Sequence, residues 1–235
     1  MKPYQSVPIE ESGEPLVEIP DCFDRVTPHP YTVLGAPYGE KSPFYLRSGV
    51  IDRLCQAQKT LQQMKPGWSI QIFDAYRPVA VQKFMVDYTF GQVVADWGLD
   101  PAKLTDEQRQ DALKQVYQFW AVPNFDLKMP PPHSTGAALD ITLVDADGIA
   151  IDMGSEIDEI SPRSHPHYFV GAAETDGFDQ NRQLLHYVMR SAGFMRHYHE
   201  WWHFSWGDQL WAWLSQRENP SRHFVARYGR VPDAA

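Results

Sequence analysis

A chain of 235 residues has the length of one large domain or two small ones, and with 43% hydrophobic residues it can bury a sizeable core. That composition excludes a disordered polymer, and no stretch approaches the roughly 20 apolar residues that a membrane span needs. A formal net charge of −9, with no run of Lys or Arg, sets the chain against nucleic acid and anionic lipid as main partners.

The first residues, Met1 to Pro15, hold three acids and no apolar stretch, so nothing there reads as an export signal and a cytoplasmic location is expected. Residues 1–45 are rich in Pro and turn formers and read as an extended arm packed on the domain. Cys22 and Cys55 stand in unlike contexts without C-x-x-C spacing and read as reduced thiols. Ile51, Leu54, Cys55, Leu61 and Met64 have mostly helical spacing, which Pro66-Gly67 stops. Ser69–Ala75 alternates as a strand with Ile70 and Ile72 on one face. Pro78 suits the first turn of a helix running to about Trp97, and Thr105 with Gln108 predicts a capped helix to about Val122.

Pro130–Pro132 then forbid helix. Ala137–Val144 is the clearest strand, with Leu139, Ile141 and Leu143 on one face and Asp140, Thr142 and Val144 on the other. Asp145–Gly148 reads as a turn into a short Ile149–Ile151 strand, 154–180 as loop, and Asn181–Ala192 as a helix closed by Gly193. The aromatic run Glu200–Trp206 prefers a strand, and Trp206, Trp211 and Trp213 read as core. Strands so few and unevenly spaced predict an α+β fold: a single domain with a small central antiparallel sheet flanked by helices.

Two segments carry metal chemistry. Pro131-Pro132-His133-Ser134-Thr135-Gly136 leads to Asp140, and His199-Glu200-Trp201-Trp202 leads to His203. Imidazole and carboxylate suit zinc, and a catalytic zinc takes three protein ligands and keeps one position for water. His133, Asp140 and His203 supply such a set, with Glu200 beside it. Spacing alone does not single out a metal site. Separations of seven and three place partners on opposite faces of a regular strand, so His133 must precede its strand and Glu200 must sit at the start of its own or beside a bulge.

Together the segments resemble the signature of the D-alanyl-D-alanine dipeptidases of the vancomycin-resistance type, within the zinc D,D-peptidase group (peptidase family M15). That family has His, Gly three residues on, Asp seven after the His, an apolar strand, and later Glu-Trp-Trp-His. Asp74-Ala75-Tyr76-Arg77-Pro78, Met153-Gly154 with Asp158, and Asn181-Arg182 with Ser191–Phe194 are similar too. The resemblance spans roughly residues 30–206. It makes 46–206 the catalytic core and 207–235 an extension of the same domain.

The resemblance implies one zinc ion per chain on His133, Asp140 and His203, with Glu200 as general base and Arg77 as oxyanion stabiliser. It further implies a D-Ala-D-Ala dipeptide substrate whose ammonium meets Asp158 and Tyr31. The family has serines before the first metal histidine where this chain has Pro131 and Pro132, which leaves Ser134 or Thr135 to hold the substrate carboxylate. Alternatives are a zinc D,D-carboxypeptidase that trims peptidoglycan peptides and a zinc-binding module without catalysis. His197 and His199 read as exposed residues or supports to the ligands, His165 and His167 as solvated, and Asp126 and Asp145 as turn acids. Trp201 and Trp202 divide between core and pocket wall.

Overall fold

The computed structural model describes residues 2–118, 120–171 and 177–232. Residues 172–176 of the expected 154–180 loop, Phe119 of the expected helix to Val122, and 233–235 of the C-terminal extension lie outside the described residues. In chain order the elements are β1 (Leu16–Glu18), β2 (Asp24–Arg25), α1 (Pro30–Val33), β3 (Tyr45–Arg47), α2 (Ser48–Met64), β4 (Ser69–Asp74), α3 (Val79–Asp96), α4 (Asp106–Val116), β5 (Ala138–Val144), α5 (Phe178–Ser191), β6 (Met195–Arg196), β7 (His203–Ser205) and α6 (Gln209–Glu218). They form an α+β fold. Its main sheet runs β2-β4-β5-β7-β6, antiparallel except where β2 lies parallel to β4 at one edge.

Alternation divides the sheet into an apolar and a polar face. Ile70, Ile72, Leu139, Ile141, Leu143 and Phe204 point into one core with Leu54 and Leu61 of α2 and Leu185 and Val188 of α5. A second apolar cluster joins Val81, Met85 and Val94 of α3 to Ala112 and Val116 of α4, Tyr31 and Trp120. Thr105 caps α4 in a reciprocal box with Gln108. That helix ends at Val116, not near Val122. Pro123 pushes Val122 out of helical backbone, and Trp120 turns inward against Tyr31.

Other elements also differ from expectation. The first 45 residues are less irregular than their prolines suggest, because β1 pairs with β3 and β2 with β4. The Ile149–Ile151 segment makes one bridge, Val144 to Ala150, and no strand. Helix α5 starts three residues early, at Phe178. Only His203–Ser205 of the expected Glu200–Trp206 strand pairs; Trp201 is drawn aside by its amide, bonded to the Ser164 carbonyl, and its indole N–H, bonded to Ser155 Oγ. Among the described residues no helix is long and apolar enough to cross a membrane.

The N-terminal arm and C-terminal tail are laced together. Ile9 bridges Ala226, and the Glu10 and Ser12 amides bond the carbonyls of Ala226 and Arg227. A 3-10 turn, Pro3–Ser6, packs on α6, where the Gln209 amide donates to the carbonyls of Gln5, Val7 and Lys128. This strap brings Lys2 and Tyr4 to the polar side of the molecule, at the cleft described next.

Candidate active site

A row of polar side chains crosses three strands in the middle of the sheet. Asp140 of β5 is paired with His203 of β7 on one side and with Asp74 of β4 on the other. Strict alternation would put Asp74 on the same face as Ile70 and Ile72. A register shift between Ile72 and Asp74 inserts Phe73 as an extra residue and turns Asp74 to the polar face instead. His133 reaches the row from a 3-10 turn, Pro132–Thr135, ahead of β5.

That turn is fixed from several directions. The Arg77 amide bonds the His133 carbonyl, the Val231 amide the Ser134 carbonyl, and the Arg47 side chain the Thr135 carbonyl. Gly136 closes it at φ 69°, where a Cβ would lie 2.5 Å from Leu16 Cδ1, so left-handed backbone and close packing both require glycine.

His133 Nε2 and His203 Nδ1 are 3.1 Å apart, and they lie 3.2 and 3.0 Å from the two oxygens of Asp140. Ligands about 2.0 Å from a tetrahedral metal stand about 3.3 Å from each other, so the two imidazole nitrogens are spaced as metal ligands are, with one Asp140 oxygen beside each. The three residues are buried. The ring atoms are aimed correctly as well. His133 Nδ1 lies 2.7 Å from the Ala75 carbonyl and donates to it in the neutral ring, which leaves the Nε2 lone pair facing inward. His203 turns Nε2 toward Ser205 Oγ, 3.4 Å away, and Ser205 hydrogen-bonds the buried Asp208 carboxyl. Burial lowers the His203 pKa against the pull of Asp140. Burial pushes the Asp140 carboxyl up, but His133 and His203 outweigh it and hold it well below the usual range.

Arg77 occupies the floor. Its Nε donates to Asp74 Oδ2 (2.8 Å), Nη1 to Gln82 (3.1 Å), and Nη2 to Asp140 Oδ2 (3.1 Å) and the Tyr31 hydroxyl (3.3 Å). The guanidinium sits 5.0 and 5.1 Å from the ring centres of Tyr31 and Trp120. Asp74, fully buried, also accepts from the Tyr38 hydroxyl at 2.9 Å and lies 3.2 Å from His29. Burial alone would lower the Arg77 pKa; Tyr31, Asp74, Asp140 and Asp158 raise it well above the usual range.

The cleft over this floor is narrow, with a cavity volume of about 40 Å³. Arg77, His133, Asp140, Asp158, Glu200 and His203 line it together. Glu200 stands in the loop before β7, its Oε2 3.4 Å from His197 Nδ1 and 3.8 Å from His203 Nδ1. Burial, reinforced by Asp140, pushes its carboxyl up to about 8. Asp158, held at φ 64°, accepts a short hydrogen bond from the Tyr31 hydroxyl. Burial and Asp140 raise it to about 6. Three carboxyls (Asp140, Asp158 and Glu200) thus share the cleft with two cations, Arg77 and Lys2.

The structure gathers most of the sequence-nominated residues but not Ser134. That side chain is buried and its hydroxyl donates to the Pro131 carbonyl at 2.7 Å; Thr135 does the same with Pro132 at 2.6 Å. Tyr31 reaches the site through Asp158 and Arg77 from within the second apolar cluster. His197 is buried beside Glu200, whereas His165, His167 and His199 are exposed. Trp202 lines the cleft and Trp201 packs in the core. Sequence reasoning missed Lys2, Tyr4, Gln82 and Trp120 in the cleft wall, and for Lys2 no local signal exists.

Residues 24–224 match the family model described as D-ala-D-ala dipeptidase. A D-alanyl-D-alanine dipeptidase of Synechocystis sp. is 51% identical over 240 residues, 98% of this chain and 97% of that protein. One from Escherichia coli is 35% identical over 97 residues, 40% of this chain and 49% of that protein. The solved structure of a vancomycin-resistance D,D-pentapeptidase, in complex with Zn(II), aligns at a TM-score of 0.46 and 15% identity over 77% of this chain and 84% of the other. The chain belongs to the D-Ala-D-Ala dipeptidase family, and it is a peptidase.

Proposed function

We propose that the protein hydrolyses the dipeptide D-Ala-D-Ala to two D-alanines, with zinc held by His133, Asp140 and His203. The observation that carries this reading is the pair of imidazole nitrogens 3.1 Å apart, each 3.0–3.2 Å from its own Asp140 oxygen, beside Glu200 in a cleft that Asp158 also lines. Its near-full-length similarity to the Synechocystis dipeptidase supports the choice of substrate.

When bound, the ion supplies Lewis-acid polarisation of the scissile carbonyl and makes water acidic near neutral pH. Glu200, a largely buried carboxyl with raised basicity, takes the proton from the attacking water and returns it to the leaving amine. Arg77 is set rigidly by its acceptors and faces the cleft, so its fixed charge stabilises the oxyanion without reorganising. Asp158, braced by Tyr31, receives the substrate ammonium. A longer peptide would set an uncharged amide against that enclosed carboxylate, which restricts the site to dipeptides.

The test is D-alanine release from D-Ala-D-Ala, L-Ala-L-Ala and an N-acetylated D-Ala-D-Ala, before and after chelation and zinc replacement. Free D-Ala-D-Ala alone should be cleaved efficiently, with activity lost on chelation and restored by zinc. Equal cleavage of the capped substrate would move the assignment to a D,D-carboxypeptidase. Activity that survives complete metal removal would refute it.

A further inference from the structure

A zwitterionic dipeptide needs a cation for its carboxylate as well as an anion for its ammonium. The loop before His133 offers no side-chain donor for that task. Pro131 and Pro132 line the cleft without N–H groups, and the neighbouring hydroxyls of Ser134 and Thr135 are spent on the carbonyls of those two prolines. Arg77 is already matched against Asp74 and Asp140. Among the described residues, the remaining Lys or Arg in the cleft wall is Lys2, carried there by the strap.

Lys2 lines the cleft with Tyr4, Ala121 and Pro131, and also a groove that continues outward along Ala121–Asn124. Among the described residues its ammonium forms no ion pair. It is partly buried, and burial lowers its pKa against the opposing pull of Glu200. Lys2 and Asp158 both line this cleft. The strap is held independently of the Lys2 side chain: the Lys2 amide bonds Gln5 Oε1 at 2.8 Å, and Gln209 grips the Gln5 and Val7 carbonyls.

Resting on the dipeptidase reading above, we infer that Lys2 is the anchor for the substrate's C-terminal carboxylate, replacing donors that the Pro131-Pro132 loop lacks. An ion pair of this kind forms only with the free acid. Because the anchor binds the carboxylate and not the scissile amide, its loss falls on KM.

The experiment compares D-Ala-D-Ala with D-Ala-D-alaninamide on the zinc-loaded wild type, Lys2→Met and Lys2→Arg. Titration of both ligands into the same set carrying Glu200→Gln adds a binding readout without turnover. Lys2→Met should raise KM for the acid about tenfold or more. The wild-type preference for acid over amide should shrink by the same factor, and Lys2→Arg should restore it. Equal losses on acid and amide would mean that the residue only props the strap, and an unchanged preference would mean that it does not touch the carboxylate; either overturns the anchor and leaves the dipeptidase reading intact. A wild type that cleaves neither compound refutes the dipeptidase reading, and the anchor falls with it.

Discussion

Replacing Arg77 by methionine isolates what holds the floor of the cleft together. The methionine fills much of the volume but leaves Asp74 and Asp140 facing each other across β4 and β5 without their shared cation. Gln82 loses its donor as well, and the Tyr31 hydroxyl loses one neighbour. Removing one partner of a buried ion pair costs about 3–5 kcal/mol, because the remaining charge is stranded. The upper half of that range applies, since two carboxylates are stranded and Asp74 is fully buried.

Metal-free protein is the right material, because a bound ion would neutralise Asp140 and mask part of the loss. With a urea m-value on the order of 2.5 kcal/mol/M, the unfolding midpoint followed by tryptophan fluorescence should fall by roughly 1.6–2 M. Arg77→Lys keeps the charge but not the fork, and should fall between the two. Arg77→Met combined with Asp74→Asn should lose less than the sum of the single changes. A loss below about 1 kcal/mol in Arg77→Met would show that the acids do not depend on this guanidinium.

Glu200→Gln should keep zinc at wild-type stoichiometry by elemental analysis yet lower kcat by about 10²–10⁴-fold; near-normal turnover would remove Glu200 from its role as base. His203→Ala should lose the metal itself on dialysis, and full retention would break the proposed ligand set. Asp158, raised to about 6, must be ionised to bind an ammonium, so kcat/KM should fall as pH drops through this value. Zinc neutralises Asp140 and removes one cause of the elevation, which places that limb at or below about 6. A limb that persists unchanged in Asp158→Asn would assign it to another group.

The sequence revealed more of the chemistry than of its supports. His133, Asp140, Glu200 and His203 were nominated through a family resemblance whose motifs are local, and the structure brings them to one cleft, while the alternation of Leu139, Ile141 and Leu143 identified the apolar face directly. The bulge at Phe73 was not legible: nothing in Ser69–Asp74 says that one residue will be extra, so Asp74 could be placed only as a neighbour of Arg77. Lys2 was hidden for a different reason. Its position depends on the lacing of residues 9–12 to 226–227, a contact between opposite ends of the chain that leaves no periodic trace. Ser134 was nominated from its place beside Pro132, but a 3-10 turn directs its hydroxyl back to the Pro131 carbonyl.

The pairing of Asp140 with His203 ties the ion to the architecture in a further way. Two of its three proposed holders are facing rungs of adjacent central strands, so the backbone ladder that closes the sheet also sets the gap between them. Slipping β7 by a single residue would hide the imidazole among Leu139 and Ile141 and bring an indole or a phenyl ring forward in its place. A ligand set built into the central ladder in this way couples the ion to the fold, so zinc loading should raise the temperature at which the protein melts.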